Sequence, residues 1–336
     1  MRSVFLLTVG LLPVSAQDFV PQRCEVLPLP NHQAQFLIDG VEKTRWHFGR
    51  QYPGPFLYPL NGPSGVSLTR MGHPGASNHD HHRSVWIAFH KLNDLNFWAE
   101  GTGNQIRQKY WYRYRDGQDE AVMAACLGWY DAEQQEVMEQ DVVIAVRPGA
   151  NGESEVEFQL TMRPGADRET VTLNQTNFGL LAVRVSRTLS AHFGGGKLTN
   201  SEGAEDEPNI FGKPARWVDY SGPVVSGRGA ARKVSTEGIT FIDHPQNPGY
   251  PNHWHVREDG WVGASLCMKR GYQIGSDAPM TIRYLLHVHA GPGDAARSAK
   301  VVSEFASRPG FTVRRGKSGE KHLQFETYRT IRKPPE

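Results

Sequence analysis

The chain has 336 residues, 38% hydrophobic, 21% charged and 10% aromatic, a globular composition that excludes a disordered or collagen-like polypeptide. Its 37 Lys and Arg against 35 Asp and Glu leave a formal charge of +2, so no overall field recruits nucleic acid or anionic lipid. With 35 Gly and 22 Pro the chain is rich in turn formers, which predicts many short strands.

At the N-terminus Arg2 precedes an apolar run from Val4 to Leu12, and Val14-Ser15-Ala16 offers small residues for cleavage. Residues 1–16 are therefore expected to be a signal peptide, with a mature start near Gln17 and export to the periplasm or beyond the cell. That run is too short to cross a bilayer, and no later segment reaches the ~20 apolar residues of a spanning helix. Cys24, Cys126 and Cys267 are widely spaced without a C-x-x-C, and read as small buried hydrophobes forming at most one disulfide.

The densest polar stretch is Asn78-His79-Asp80-His81-His82-Arg83, three imidazoles with a carboxylate and a guanidinium. Val85-Trp86-Ile87 follows at once, which ties the cluster to a buried strand. Period-two alternation then predicts strands at Gln108–Arg115, Val137–Val146 and around Val156, Phe158, Leu160 and Met162, which face away from Glu155, Glu157 and Thr161. Similar runs occupy Leu180–Leu189, Pro214–Tyr220, Gly238–Asp243, Trp261–Met268 and Thr281–His289. One segment is helical: Ala296, Ala299, Val302 and Phe305 recur at helical spacing, with Asp294 as N-cap and Pro309-Gly310 as the stop. Ten or more strands with about one helix predict an all-β protein, a large antiparallel β-sandwich forming one domain over residues 17–336. From Arg308 onward eight Lys and Arg face three Glu, a basic C-terminal extension that reads as a solvated tail.

Three H-x-H pairs stand out: His79/His81, His253/His255 and His287/His289. On a strand, residues i and i+2 share a face, so each pair can present two imidazoles to one cavity. Converging imidazoles suit a divalent transition metal, with His79, His81, His82, His255 and His289 as candidate ligands, or acid–base work without metal. Two further stretches carry polar chemistry. After a triple-glycine turn come Asn200-Ser-Glu-Gly203, Gly212-Lys213 and Trp217-Val-Asp-Tyr220, where Glu202 and Asp219 are candidate acid–base carboxylates and Trp217 or Tyr220 can stack on a sugar. Then Asp243-His-Pro245 and Asn247-Pro248 predict a rigid loop holding His255, Trp254 and Arg257, the last suited to gripping an anionic or hydroxyl-rich group. No P-loop, no G-x-G-x-x-G after a strand, no G-x-S-x-G and no H-E-x-x-H is present, which argues against nucleotide-driven chemistry and zincin proteolysis.

Taken in order, Tyr52-Pro, Pro63-Ser-Gly65, His79-x-His81-His82-Arg83-x-x-Trp86, Asn96-Phe-Trp98, Asn200-Ser-Glu-Gly203, Gly212-Lys213, Trp217-Val-Asp-Tyr-Ser-Gly222, Asp243-His-Pro245 and Trp254-His-Val-Arg257 resemble a bacterial family of exported proteins labelled PmoA-like, or DUF6807. The resemblance runs from about Tyr52 to Gly291. It departs at Asn78, where the family has Asp, and at Ala290, where the family's Val-His-Asp-Gly has Asp. His253 and His287 fall outside its motifs, which concentrates attention on His81, His82, Arg83 and His255. The label points to membrane methane oxygenation, against which the lack of a spanning segment argues. The fold it implies is a supersandwich similar to galactose mutarotase and several polysaccharide-active enzymes.

The reading that follows is an exported carbohydrate-active enzyme, hydrolase, lyase or epimerase. In it His81, His82 or His255 moves a proton with Glu202 or Asp219 as partner. Arg83, Arg257 and Lys213 hold substrate, and Trp217, Tyr220 or Trp254 stacks on it. The alternatives are a non-catalytic glycan-binding protein and a metal-dependent hydrolase or oxygenase. The expected partner is a sugar or glycan, and the sequence leaves the oligomeric state open.

Overall fold

The structure, a computed structural model, describes residues 20–73, 79–315 and 325–329. The expected signal peptide, Asn78 and most of the basic tail lie outside them. Five strands open the chain: β1 (Cys24–Leu29), β2 (Gln33–Ile38), β3 (Val41–His47), β4 (Phe56–Leu60) and β5 (Val85–Phe89). Next come β6 (Gln105–Arg115), β7 (Ala121–Tyr130), β8 (Glu136–Pro148), β9 (Ser154–Pro164), β10 (Thr170–Leu173), β11 (Gly179–Arg184) and β12 (Lys197–Asn200). A short helix α1 (Glu207–Ile210) leads to β13 (Trp217–Ser226), β14 (Lys233–Asp243), β15 (His253–Arg257), β16 (Trp261–Ser265), β17 (Tyr272–Gly275) and β18 (Met280–Ala290). Helix α2 (Ala295–Ser307) and the hairpin of β19 (Phe311–Arg315) and β20 (Phe325–Arg329) complete the described chain.

Two eight-stranded antiparallel sheets form the sandwich. The first has the order β1-β2-β3-β4-β5-β11-β16-β15, the second β12-β13-β14-β18-β9-β8-β7-β6. One cluster of buried side chains spans both: Ile87, Leu181, Val262 and Trp254 from the first sheet meet Val218, Phe241, Phe158 and Leu286 from the second. Alternate residues on each strand turn to the outer faces, and both outer faces carry further apolar layers. On the second sheet Trp217, Ile242 and Leu285 are covered by Val301 and Phe305 of α2. On the first, Phe56, Trp86, Ala88, Ala182 and Trp261 are covered by loops bearing Trp98 and Phe178.

Several details differ from the sequence reading. The Leu180–Leu189 strand stops at Arg184, because Ser186 N bonds to Leu68 O in another segment and the chain then turns, with Leu189 and Ser190 N bonding back to Ser186 O. The 261–268 run stops at Ser265. His253–Arg257 is an edge strand rather than a loop, hydrogen-bonded to β16 in register His255↔Gly263; the prolines rigidify only the approach to it. Helix α2 begins as expected, with the Asp294 side chain accepting from Arg297 N at 2.6 Å. Its buried face is Ser298, Val301 and Phe305, since the bulk of Val301 and Phe305 outweighs the alanine stripe. The three cysteines are buried and unbridged.

Candidate functional site

The outer face of the first sheet gathers the aromatic and imidazole groups. Register pairs Phe56 with Trp86, Trp86 with Ala182, Ala182 with Gly263 and Gly263 with His255, a row of same-face residues across β4, β5, β11, β16 and β15. Ala182 and Gly263 leave the middle of the row low, so larger rings lie over it. Trp261 stands in the adjacent row, opposite Arg184 on one side and Arg257 on the other. A Cβ added at Gly263 would lie 3.6 Å from Trp261 Nε1, which shows how closely the indole covers the glycine.

Loops supply the remaining rings. The turn before β5 places His82 against Trp86 at 5.1 Å and Trp261 at 5.6 Å between ring centroids, nearly parallel to both. His79 and His81 flank His82 at 5.1 and 4.3 Å. Trp98 is set by an Asn96 turn, whose Oδ1 accepts from the Trp98 and Ala99 amides at 2.8 and 3.0 Å. Its indole lies 5.5 Å from Trp86 and 5.4 Å from Trp261. Phe178 stacks on Trp261 at 5.8 Å and 5°. His255 lies 3.7 Å from Trp261, 5.1 Å from Phe178 and 4.8 Å from Phe211. The His81–His82 and His255 stretches therefore do meet, with Trp261 between them.

Enclosure sets the electrostatics. Burial pushes the His82 imidazole down to about 2, helped by neighbouring His81, and pushes His255 down to about 3. Both are neutral at physiological pH. The Asn177 carbonyl, 3.2 Å from His255 Nδ1, can only accept, so Nδ1 carries the proton and Nε2 keeps its lone pair. Among the described residues, three buried nitrogens in this layer have no hydrogen-bond partner: Trp86 Nε1, Trp261 Nε1 and His82 Nδ1.

Two openings flank the layer. At one end a slot of about 20 Å³ between His81, Arg83, Trp86 and Trp98 adjoins a cleft of about 350 Å³ lined by Tyr52, Arg83 and Glu100, with Pro53 and Arg83 common to both. Arg83 forms an ion pair with Glu100, and its guanidinium lies 5.6 Å from the Tyr52 ring centroid. At the other end, a pocket of about 630 Å³ is lined by His90, Asn174 and Phe178 among others.

The other sequence candidates lie elsewhere. Asp219 is fully buried on the outer face of the second sheet, beneath α2. Its Oδ2 is 2.7 Å from His289 Nε2 and accepts from Thr240 Oγ1, also at 2.7 Å. Arg297 of α2 can only donate, and its Nη2 is 2.9 Å from His289 Nδ1. His289 is therefore protonated on Nε2 and donates to Asp219. The pair ties β13, β18 and α2 together. Glu202 is exposed in the turn after β12, with Arg216 at 3.8 Å. Neither carboxylate partners the histidines of the first sheet, so that expectation is corrected.

The sugar platforms chosen from sequence are corrected too. Trp254 is fully buried between the sheets, its Nε1 donating to Ala215 O at 2.8 Å. Tyr220 is equally buried, its hydroxyl donating to Glu258 O at 2.9 Å and accepting from Ala191 N at 3.0 Å. Trp217 packs against α2. None presents an open ring face. Lys213 is exposed after α1, and Arg257, half exposed, pairs with Glu207 at 2.7 Å. The Asp243 motif braces the chain: its carboxylate accepts from Asn247 Nδ2, Asn252 N and Asn252 Nδ2, while burial raises it to about 6.

Among the described residues no three His, Cys, Asp or Glu side chains are grouped to hold a metal ion. His79, His81 and His82 cluster, but Trp261 stands between them and His255, and His289 lies under α2 on the other sheet. The residues that sequence reasoning passed over as site residues are Trp261, Phe178 and Glu100, with Tyr52 and Trp98 noted only as parts of motifs. Their one signal was an unusual density of aromatics next to short motifs.

The chain belongs to the family of unknown function DUF6807, whose model matches residues 33–303. The match carries that designation alone, without the PmoA-like label. No curated protein matches. Among solved structures the chain is similar to a heparinase III with methylated lysines, at 8% identity and a TM-score of 0.26. That match covers 89% of this chain and only 35% of the heparinase, and a likeness so low bears on neither activity nor substrate. Among the described residues, no helix is long and apolar enough to cross a membrane.

Proposed function

We propose that this protein is a carbohydrate-active enzyme, exported on the reading of residues 1–16, that holds a sugar at the outer face of its first sheet. The supporting observation is the set of three nitrogens without a partner among the described residues, Trp86 Nε1, Trp261 Nε1 and His82 Nδ1, set among stacked rings. Leaving a buried donor or acceptor unsatisfied costs about 1–3 kcal/mol, so such groups call for a partner. A sugar supplies both complements, C–H faces for the indoles and hydroxyls for the nitrogens. The slot at Trp98 admits about one water, so seating a ring there requires the 96–104 loop to swing outward. His255 Nε2, with its lone pair, is then the proton acceptor.

A second reading, non-catalytic glycan binding, draws on one observation. Both imidazoles are held far below neutral, at about 2 and 3, which makes them poor proton exchangers but good neutral hydrogen-bonding groups. The test is a glycan array followed by calorimetry and product analysis on wild type, Trp98→Ala and His255→Gln. Trp98→Ala should weaken binding at least tenfold, and His255→Gln should abolish product formation. Full binding by Trp98→Ala overturns the site, and binding without any product by wild type selects the second reading.

A further inference from the structure

We infer that the cleft beside Arg83 is a second sugar subsite, so that the ligand is an oligosaccharide of at least two units rather than a monosaccharide. This rests on the sugar-binding reading of the indole-lined face and goes beyond it by fixing the size of the ligand and the residues that select it.

Adjacency of space is the first support. The slot between Trp86 and Trp98 and the 350 Å³ cleft share Arg83 and Pro53 as lining residues, so the two lie side by side at the same end of the aromatic layer. At about 20 Å³ the slot admits a hydroxyl or a bridging oxygen but not a ring, whereas the cleft falls in the ordinary range of small-molecule sites, about 300–1,000 Å³. A unit outside Trp98 therefore finds preformed room, while the unit beneath needs the loop to move.

Chemistry at the mouth is the second support. Glu100 and the ring of Tyr52 hold the Arg83 guanidinium from two sides, and Tyr52 is itself braced edge-on by Phe56 at 4.9 Å. The arginine side chain is mostly covered, 14% exposed, but the carboxylate is 40% exposed. A fixed guanidinium edge beside an accessible carboxylate offers donors and acceptors next to each other, the complement of two neighbouring hydroxyls. Neighbouring hydroxyls are what a sugar unit presents. Glu100 also lies in the segment that follows Trp98, so a unit gripped at the mouth bears directly on the loop that covers the inner position.

The experiment uses the full chain and oligosaccharides of glucose, xylose, mannose, galactose and glucuronate, one to four units long. An array locates the best-bound series, and calorimetry then gives the affinity of each length for wild type, Glu100→Gln and Tyr52→Ala, with melting temperatures as folding controls. Wild type should bind the two-unit ligand at least tenfold more tightly than the one-unit ligand. Glu100→Gln should bring that ratio close to one, with Tyr52→Ala intermediate. Equal affinity for one and two units in wild type overturns the second subsite, as does a ratio unchanged in folded Glu100→Gln. Binding of no member of any series overturns the sugar-binding reading itself, a distinct result.

Discussion

Replacing His255 with glutamine should make the protein more resistant to acid. In the folded chain this imidazole stays neutral down to about pH 3, because Trp261, Phe178 and Phe211 exclude water from it. Unfolded, it takes up a proton below 6.5. Between those values the unfolded state binds the extra proton, so the stability that burial of the neutral ring provides is complete above 6.5 and is lost as pH falls toward 3. At 1.36 kcal/mol per unit, acidifying from pH 6.5 to 4.5 removes about 3 kcal/mol through this residue alone. Glutamine retains a donor for the Asn177 carbonyl but cannot be protonated. Urea unfolding at pH 7 and pH 4.5 measures the effect: wild type should lose about 3 kcal/mol more than His255→Gln over that interval. His82 pulls in the same direction. Asp243, raised to about 6 by burial, opposes both, since its contribution is complete below 3.8 and is lost as pH rises through 6. Equal acid losses in wild type and variant, within about 0.5 kcal/mol, would refute the claim that His255 is enclosed and neutral.

Asp219→Asn should cost about 1–3 kcal/mol in urea unfolding, because it weakens the buried contacts with His289 and Thr240 beneath α2; stability equal to wild type would show that the pair does not anchor that helix. Arg283→Met removes the 2.6 Å ion pair to the fully buried Glu157, and should cost about 3–5 kcal/mol, read as a lower melting temperature. An unchanged melting temperature would mean that the Arg283 pair is not what holds the buried Glu157 charge.

Strand positions were legible where alternation survives, as on β9, but not on β7, whose continuous apolar run has no period of two; the α2 cap was legible because Asp294 precedes an amphipathic run. What alternation could not tell was which face of a strand looks inward. Both faces of both sheets carry a covering layer, so Trp254, Trp217 and Trp261 all stand on apolar strands, and only register separates the inter-sheet residue from the helix-covered and the loop-covered ones. The same ambiguity misplaced Asp219, whose neighbours Val218 and Tyr220 face the inter-sheet core while it faces α2. Trp98 and Phe178 lie on loops, where no period exists to aim them. The His81–His82 and His255 stretches lie close together because each sits beside a strand that the row through Ala182 and Gly263 brings together, a pairing that no spacing along the chain displays.

That row has an evolutionary corollary. Its floor is laid by five strands whose opposite faces hold the two sheets together, so a change there is answered by the whole sandwich. The rings above it, Trp98, Phe178 and Phe211, come from three connections; the first two are tied to each other by His90 N to Phe178 O at 3.2 Å and Asn174 N to Lys91 O at 2.9 Å, while Phe211 comes from the segment after α1. The segment bearing Phe211 can exchange its aromatic by itself, whereas the connections bearing Trp98 and Phe178 must vary together. The cover over the row can therefore change in two blocks on an unaltered foundation.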